Sequence, residues 1–136
     1  MTSQPVLIEG YAALFGVADL SGDVVRAGAF AQSLKTGPVP MLLQHRSGVR
    51  AGHWTRLVED GRGLFARGLI DLPRAQLMQR DGLSGLSIGF RARLWKPRPE
   101  GGRDLISIDL VEISLVAAPM QPLARFTEIG EAARAA

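Results

Sequence analysis

Cysteine is absent from this 136-residue sequence, and histidine, lysine and aromatic residues are scarce. Without cysteine the chain can form no disulfide, no thiolate nucleophile and no cysteine-ligated zinc site. Two histidines, His45 and His53, are too few for a histidine-rich metal site, so no cofactor is expected. No apolar run approaches the ~20 residues of a membrane helix, and no signal peptide is visible. These absences predict a cytoplasmic protein with no membrane partner.

The charge of the chain is modest and dispersed. The net charge is +3 at pH 7, and arginine supplies almost all of the basic residues. Nucleic-acid-binding proteins cluster such residues and interleave them with aromatic side chains that stack on bases. Here the arginines are spread along the sequence, and aromatic residues make up 6% of it. A small β-barrel that binds single-stranded nucleic acid is therefore the weakest hypothesis, and no specific nucleic-acid partner is expected.

Sixteen glycines and eight prolines favour short strands joined by turns. Hydrophobic patterning predicts strands over 6–15, 39–45, 49–59, 63–71, 84–95 and 104–117, with short helices over 27–34 and 73–80. We expect a mainly β (α+β) fold, an antiparallel β-barrel with a few short peripheral helices. The length suits a single domain over 1–126, followed by a short C-terminal tail over 127–136 that ends as a frayed helix.

The stretch GLSIGF contains a serine in a predicted strand. Alternation places Ser87 on the opposite face from the apolar row that runs over Ile88–Leu94. Glycine inside a strand often marks the close approach of a ligand or of another backbone. Gly85 and Gly89 therefore suggest space beside a nucleophile, although an ordinary strand serine is the simpler interpretation.

A histidine and a carboxylate occupy comparable positions in two other strands. His45 ends the apolar row of VPMLLQH and needs a hydrogen-bond partner if it is partly buried. Glu112 falls on the apolar face of the strand over 104–117, where an unpaired charge is costly. Glu112 could pair with the histidine, or a bulge could turn it towards an arginine. With Ser87 these residues are the parts of a nucleophile–base–carboxylate triad.

Five blocks of sequence carry a family resemblance. In chain order they are GYAALFGVADLSGDVVRAGAFAQSL, VPMLLQH, GLFARGLID, GLSGLSIGF and DLVEISLVAAPMQPLA. In this order they resemble the tailed-phage prohead maturation proteases, serine peptidases related in fold to the herpesvirus assemblins. The chain is also similar to the compact versions found in gene transfer agents. The resemblance implies a herpesvirus-protease-like fold.

The resemblance also implies the roles of the site residues. Ser87 matches the nucleophile of the family, His45 its general base and Glu112 the acidic third member. The herpesvirus relatives use a second histidine as the third member, and His53 is the remaining histidine of this chain. The choice between Glu112 and His53 thus stays open. The nearby Ser84 and Ser114 are expected to be structural.

The implied function is that of a serine endopeptidase of procapsid maturation. It would cleave the N-terminal scaffolding segment of the major capsid protein, its substrate and assembly partner, and its own chain, inside the assembling procapsid in the cytoplasm of the bacterial host. Backbone N–H groups of Gly102 and Arg103 are the candidates for an oxyanion hole. A non-catalytic scaffold or capsid-interior binding module of the same fold is the alternative, and homodimer formation stays open.

Overall fold

The computed structural model describes residues 5–71, 73 and 80–131, and it is dominated by β-strands. The strands are β1 (Val6–Leu14), β2 (Val24–Val25), β3 (Pro40–Leu43), β4 (Arg50–Glu59), β5 (Gly63–Ile70), β6 (Gly85–Pro97), β7 (Arg103–Val116) and β8 (Phe126–Glu131). A 3-10 helix covers Ser33–Lys35. Among the described residues no helix is long and apolar enough to span a membrane. The mainly β fold class is confirmed.

All eight strands belong to one sheet. Its order is β2-β7-β3-β4-β5-β1-β8, and β6 pairs with β7 along almost its full length. Most pairs are antiparallel, but β2 and β3 run parallel to β7. The sheet is not closed by a continuous ladder, since the start of β6 meets the residue before β8 in an isolated bridge between Gly85 and Arg125. The expected antiparallel barrel is therefore a mixed, incompletely closed sheet.

The two predicted helices have different outcomes. Of the helix expected over 27–34, residues 27–32 form consecutive turns and 33–34 begin the 3-10 helix. Gly28 adopts a φ of +90°, which a right-handed helix does not allow. The helix predicted over 73–80 lies mostly outside the described residues.

The C-terminal boundary of the expected domain also differs. Residues 127–131, expected in the tail, form most of β8, which pairs antiparallel with β1. Phe126, the first residue of β8, is 8% exposed and packs in the hydrophobic core. The remaining positions of the expected tail, 132–136, lie outside the described residues.

Both long strands of the β6–β7 hairpin matter for the site. The register of β6 shifts between Gly89 and Phe90 and again on each side of Leu94. These irregularities interrupt the alternation, and Leu94, expected in the apolar row, is 56% exposed. The last five residues of β7 are all buried, so both faces of the strand are covered there. Polar side chains in this segment, Glu112 and Ser114, therefore need hydrogen-bond partners.

Candidate active site

His45 lies just beyond the end of β3 rather than within it. Gln44 and His45 have φ values of 51° and 60°, so the chain turns out of the strand instead of extending its apolar row as expected. The Gln44 N–H donates to the carbonyl oxygen of Leu115 at 2.9 Å. The His45 N–H donates to Ser114 Oγ at 3.1 Å. These contacts hold the turn against β7 and leave the histidine side chain 42% exposed.

Glu112 is the partner of this histidine. Its Oε2 lies 2.6 Å from His45 Nδ1, and its Oε1 accepts a hydrogen bond from Ser114 Oγ, also at 2.6 Å. Glu112 is buried, with 8% of the residue exposed. Of the two environments that the sequence left open for Glu112, the structure contains the histidine pair. We assign the proton of the imidazole to Nδ1, which leaves Nε2 as an acceptor that faces away from the carboxylate.

The two glycines that flank Ser87 make room for other parts of the protein. A Cβ atom on Gly89 would lie 2.8 Å from Glu112 Cδ and 3.0 Å from its Cγ. A Cβ atom on Gly85 would lie 2.7 Å from both Cδ and Cγ of Pro119. The space expected beside the serine is thus filled by a proline ring and by the carboxylate side chain of the neighbouring strand.

Ser87 faces Ser114 directly across the β6–β7 pair. It therefore shares a sheet face with Glu112, two residues away along β7. Ser87 is 4% exposed and lines a cavity of about 230 Å³. His45 and Glu112 line a separate open groove of about 420 Å³. Within the described part of the chain no hydrogen bond joins the Ser87 hydroxyl to the His45 imidazole.

The cavity beside Ser87 has apolar walls and a polar end. The walls include Ala12, Ala13, Val25, Leu86, Phe90 and Leu105. The polar end contains Asp23 and Arg103, which form an ion pair at 2.7 Å. The guanidinium of Arg103 donates to Asp23 and so lowers the pKa of that carboxyl below its ordinary value, while the same contact raises the pKa of Arg103.

One of the two backbone amides expected in the oxyanion hole is already engaged. The Arg103 N–H donates to Asp23 Oδ1 at 2.9 Å, so this amide already has an acceptor. Gly102 packs against the backbone of Gly22, whose Cα would lie 2.9 Å from an added Cβ atom. Arg103 does line the cavity beside Ser87, but its guanidinium is already paired with the Asp23 carboxylate.

Comparison with known proteins identifies the family of the chain. The sequence model of the caudovirus prohead serine proteases matches residues 2–134. The chain belongs to this family. The prohead protease of Enterobacteria phage HK97 is 36% identical to it over 95 residues, which are 62% of this chain and 41% of that protein. This prohead protease family member thus spans less than half of the length of that relative.

Solved herpesvirus proteases share the fold of this family member. The crystal structure of KSHV protease in complex with a hexapeptide phosphonate inhibitor superposes with a TM-score of 0.62 at 16% identity, covering 92% of this chain and 65% of that chain. Varicella-zoster virus protease gives a TM-score of 0.58 at 14% identity, with 92% and 64% covered. The expected resemblance to both groups is confirmed.

The other candidate residues of this prohead protease family member lie apart from the pair. His53 is exposed on β4, where its Cα pairs with those of Pro40 and Leu69. Ser84 is exposed, and its hydroxyl accepts a hydrogen bond from Arg125 at 3.0 Å. In the structure the imidazole of His45 therefore meets Glu112 and not the second histidine.

Two residues near the site carry more contacts than the sequence indicated. Ser114, expected to be structural, bonds both Glu112 and His45, and its place two residues after Glu112 on a buried strand was the available signal. Gln121 is 7% exposed and lines the cavity beside Ser87. Its amide bonds both main-chain groups of Leu14, at 2.6 and 3.0 Å, which anchors the segment that follows β7.

Proposed function

We propose that this protein is a serine endopeptidase of procapsid maturation, in which Ser87 is the nucleophile, His45 the general base and Glu112 the group that orients His45. The observation that carries the proposal is the 2.6 Å contact between His45 Nδ1 and Glu112 Oε2. It fixes the tautomer in which Nε2 can accept a proton. Membership of the prohead serine protease family and the position of Ser87 on the face of Glu112 support the same assignment.

The proposed reaction is acyl transfer. The Ser87 hydroxyl gives its proton to His45 Nε2 as Oγ attacks the peptide carbonyl, and Glu112 stabilises the imidazolium. The imidazolium then protonates the departing amine, and the peptide C–N bond breaks to leave an acyl-enzyme. Water, deprotonated by the same imidazole, attacks the ester and releases the acid while the proton returns to Ser87.

The reaction also needs a hydrogen bond between the Ser87 hydroxyl and the His45 imidazole, which is not made in the structure. Catalytic hydrogen bonds are often long before the substrate binds and tighten in the complex. Ser87 opens on one cavity and His45 on a neighbouring groove, so a peptide lying across both would contact the two residues together. We propose that substrate binding, or enclosure in the shell, completes this contact.

The proposed substrate is the major capsid protein, cleaved in its N-terminal scaffolding segment inside the procapsid, together with the protease itself. The family description and the prohead protease of phage HK97 support this choice. No metal or organic cofactor is needed for the reaction, because the nucleophile, base and orienting carboxylate are all side chains of this chain.

Co-expression with the major capsid protein tests the proposal. Intact mass spectrometry should show the capsid protein shortened at one site by the wild type and by Ser84→Ala, the exposed serine next to the motif. Ser87→Ala should leave it at full length. Capsid protein of full length with the wild type, together with particles that assemble only when the protein is present, would instead support the scaffold alternative.

A further inference from the structure

We propose that Ser114 is a positioning residue of the site, because its hydroxyl holds both members of the histidine–carboxylate pair in place. This inference rests on the proposed function for its catalytic meaning. Its structural content, that Ser114 controls the His45–Glu112 contact, can be tested without any activity.

The single hydroxyl of Ser114 makes two contacts with opposite roles. Its O–H donates to Glu112 Oε1 at 2.6 Å, a length typical of a hydrogen bond to a charged carboxylate. A lone pair of the same oxygen accepts the His45 N–H at 3.1 Å. A hydroxyl has one proton to donate and lone pairs to accept with, so the two contacts are compatible. Ser114 thus connects the side chain of one partner to the backbone of the other.

The contact with His45 supports a backbone conformation that is unfavourable for non-glycine residues. His45 and Gln44 both lie in the left-handed region of backbone conformation. This conformation costs free energy, which contacts with the surrounding structure have to offset. The Gln44 N–H is held by the Leu115 carbonyl, which is part of the sheet itself. The His45 N–H is held by a side chain instead, so a substitution at Ser114 can release it.

The contact with Glu112 fixes the direction of the carboxylate. Its Oε2 reaches His45, Oε1 reaches Ser114, and its stem lies over Gly89. Ser114 is fully buried, at 0% exposure. Bulk water cannot readily replace a hydroxyl at such a position, so its removal would leave a carboxylate oxygen and a backbone N–H without these partners. The carboxylate could then rotate away from Nδ1.

Nitrogen-15 NMR of the two imidazoles gives the direct test. The chain has only His45 and His53 as histidines, so the spectrum contains two rings, and His53→Gln assigns them. In the wild type the Nδ1 proton of His45, shared with Glu112 at 2.6 Å, should resonate far downfield of ordinary imidazole protons. We expect Ser114→Ala to lose this resonance and to populate both tautomers of His45.

Reaction with a fluorophosphonate probe gives the catalytic readout. Ser114→Ala should label Ser87 roughly ten- to a hundredfold more slowly, the factor that one hydrogen bond to a charged group represents. Ser114→Thr, which keeps the hydroxyl, should restore both the resonance and much of the rate.

A matched control separates positioning from general destabilisation. Ser33 is also buried, and its hydroxyl accepts the Leu110 N–H of the same strand β7 at 2.7 Å, outside the histidine–carboxylate pair. Ser33→Ala should lower the midpoint of urea unfolding yet keep the downfield proton and the wild-type labelling rate.

The outcomes of these experiments test the positioning role of Ser114 and the proposed function separately. A downfield proton that persists in folded Ser114→Ala, with unchanged labelling, overturns the positioning role. If Ser114→Ala does not fold, Ser114→Cys, with a similar shape and a weaker donor, replaces it and is expected to lose the resonance; its persistence there overturns the inference equally. A wild type that shows the resonance but reacts with the probe neither alone nor inside procapsids assembled with the capsid protein contradicts the proposed function, and the NMR comparison still decides the role of Ser114.

Discussion

At the residue scale, Gly89 is required by a side chain on the neighbouring strand. The Glu112 carboxylate lies across the Cα of Gly89, and an alanine methyl would come within 2.8 Å of its Cδ. Because both groups are held in a paired sheet, the carboxylate has to move rather than the backbone. The absence of a side chain at position 89 therefore permits the contact between Glu112 and His45.

Gly89→Ala should inactivate the site while the protein stays folded. We expect loss of the His45–Glu112 contact and at least a tenfold slower reaction of Ser87 with a fluorophosphonate. Gly61→Ala is the matched control, since a Cβ atom there would meet nothing within 4 Å. Equal labelling rates for the two variants would show that the carboxylate accommodates the methyl without consequence.

The ion pair of Asp23 and Arg103 predicts a dependence of stability on pH. The guanidinium lowers the pKa of Asp23 below 3.8, so the ionised carboxylate stabilises the folded state at pH values above that figure. This contribution is lost as the pH falls through the lower pKa of the folded state. In urea unfolding between pH 2 and 6, Asp23→Asn should be less stable than wild type at pH 6, and the difference should narrow towards pH 2.

The exposed pair of Arg93 and Asp109 provides the comparison for this titration. The side chains of Arg93 and Asp109 are 60% and 47% exposed, and Arg93 Nη1 lies 3.2 Å from Asp109 Oδ1. Solvent screens such a pair, so Asp109→Asn should change stability little at any pH. A constant difference between Asp23→Asn and wild type across the whole range would mean that the carboxylate charge at position 23 does not support the fold.

At the scale of the elements, β8 is hydrogen-bonded to the residue that precedes β6, the strand that carries Ser87. Phe126 is buried, and its N–H donates to the carbonyl oxygen of Ser84, three residues before Ser87. Phe126→Ala should therefore lower the free energy of unfolding by about 3–5 kcal/mol. Leu123→Ala, at a side chain that is 71% exposed, should change it by less than about 0.5 kcal/mol. A similarly small loss for Phe126→Ala would mean that β8 contributes little to the core.

The elements also show which features the sequence could predict. The hairpin of β4 and β5 and the long strands β6 and β7 follow from local alternation and turn residues, and they lie where expected. The β8 segment is short, and its pairing with β1 depends on residues distant in the chain. The left-handed turn at Gln44 and His45 is equally invisible to a pattern, because both residue types usually extend a strand or helix.

The sequence supplied the candidate residues of the site but not their geometry. Ser87, His45 and Glu112 were named from strand faces and from the family blocks. The structure pairs His45 with Glu112 and leaves the hydrogen bond to Ser87 unmade. The filling of the glycine positions by Glu112 and Pro119 could not be predicted, since it depends on the register of β6 against β7 and on the path of the chain after β7.

At the scale of the whole molecule, the pairing of β3 with β7 joins distant parts of the chain. Met41 pairs with Ile113 and Leu43 with Leu115 in a parallel ladder. Folds dominated by such non-local pairs close large loops before the contacts form, so they fold slowly. We expect refolding in milliseconds to seconds by stopped-flow tryptophan fluorescence, with Trp95→Phe as a control that isolates Trp54. Refolding in microseconds would contradict the expectation that forming this non-local pairing is slow.

The pairing of β1 with β8 also determines where the two ends of the folded chain lie. Val6 and Glu131 are Cα partners in this ladder. Adjacent strands are separated by about 5 Å, so any segments attached before β1 and after β8 would leave the protein side by side. A short linker could therefore join the two ends, and new termini could be opened in the Asp60–Arg62 turn without breaking a strand pair. Such a circular permutant would contain the strands in a different order along the sequence, while every strand would keep the same neighbours in the sheet.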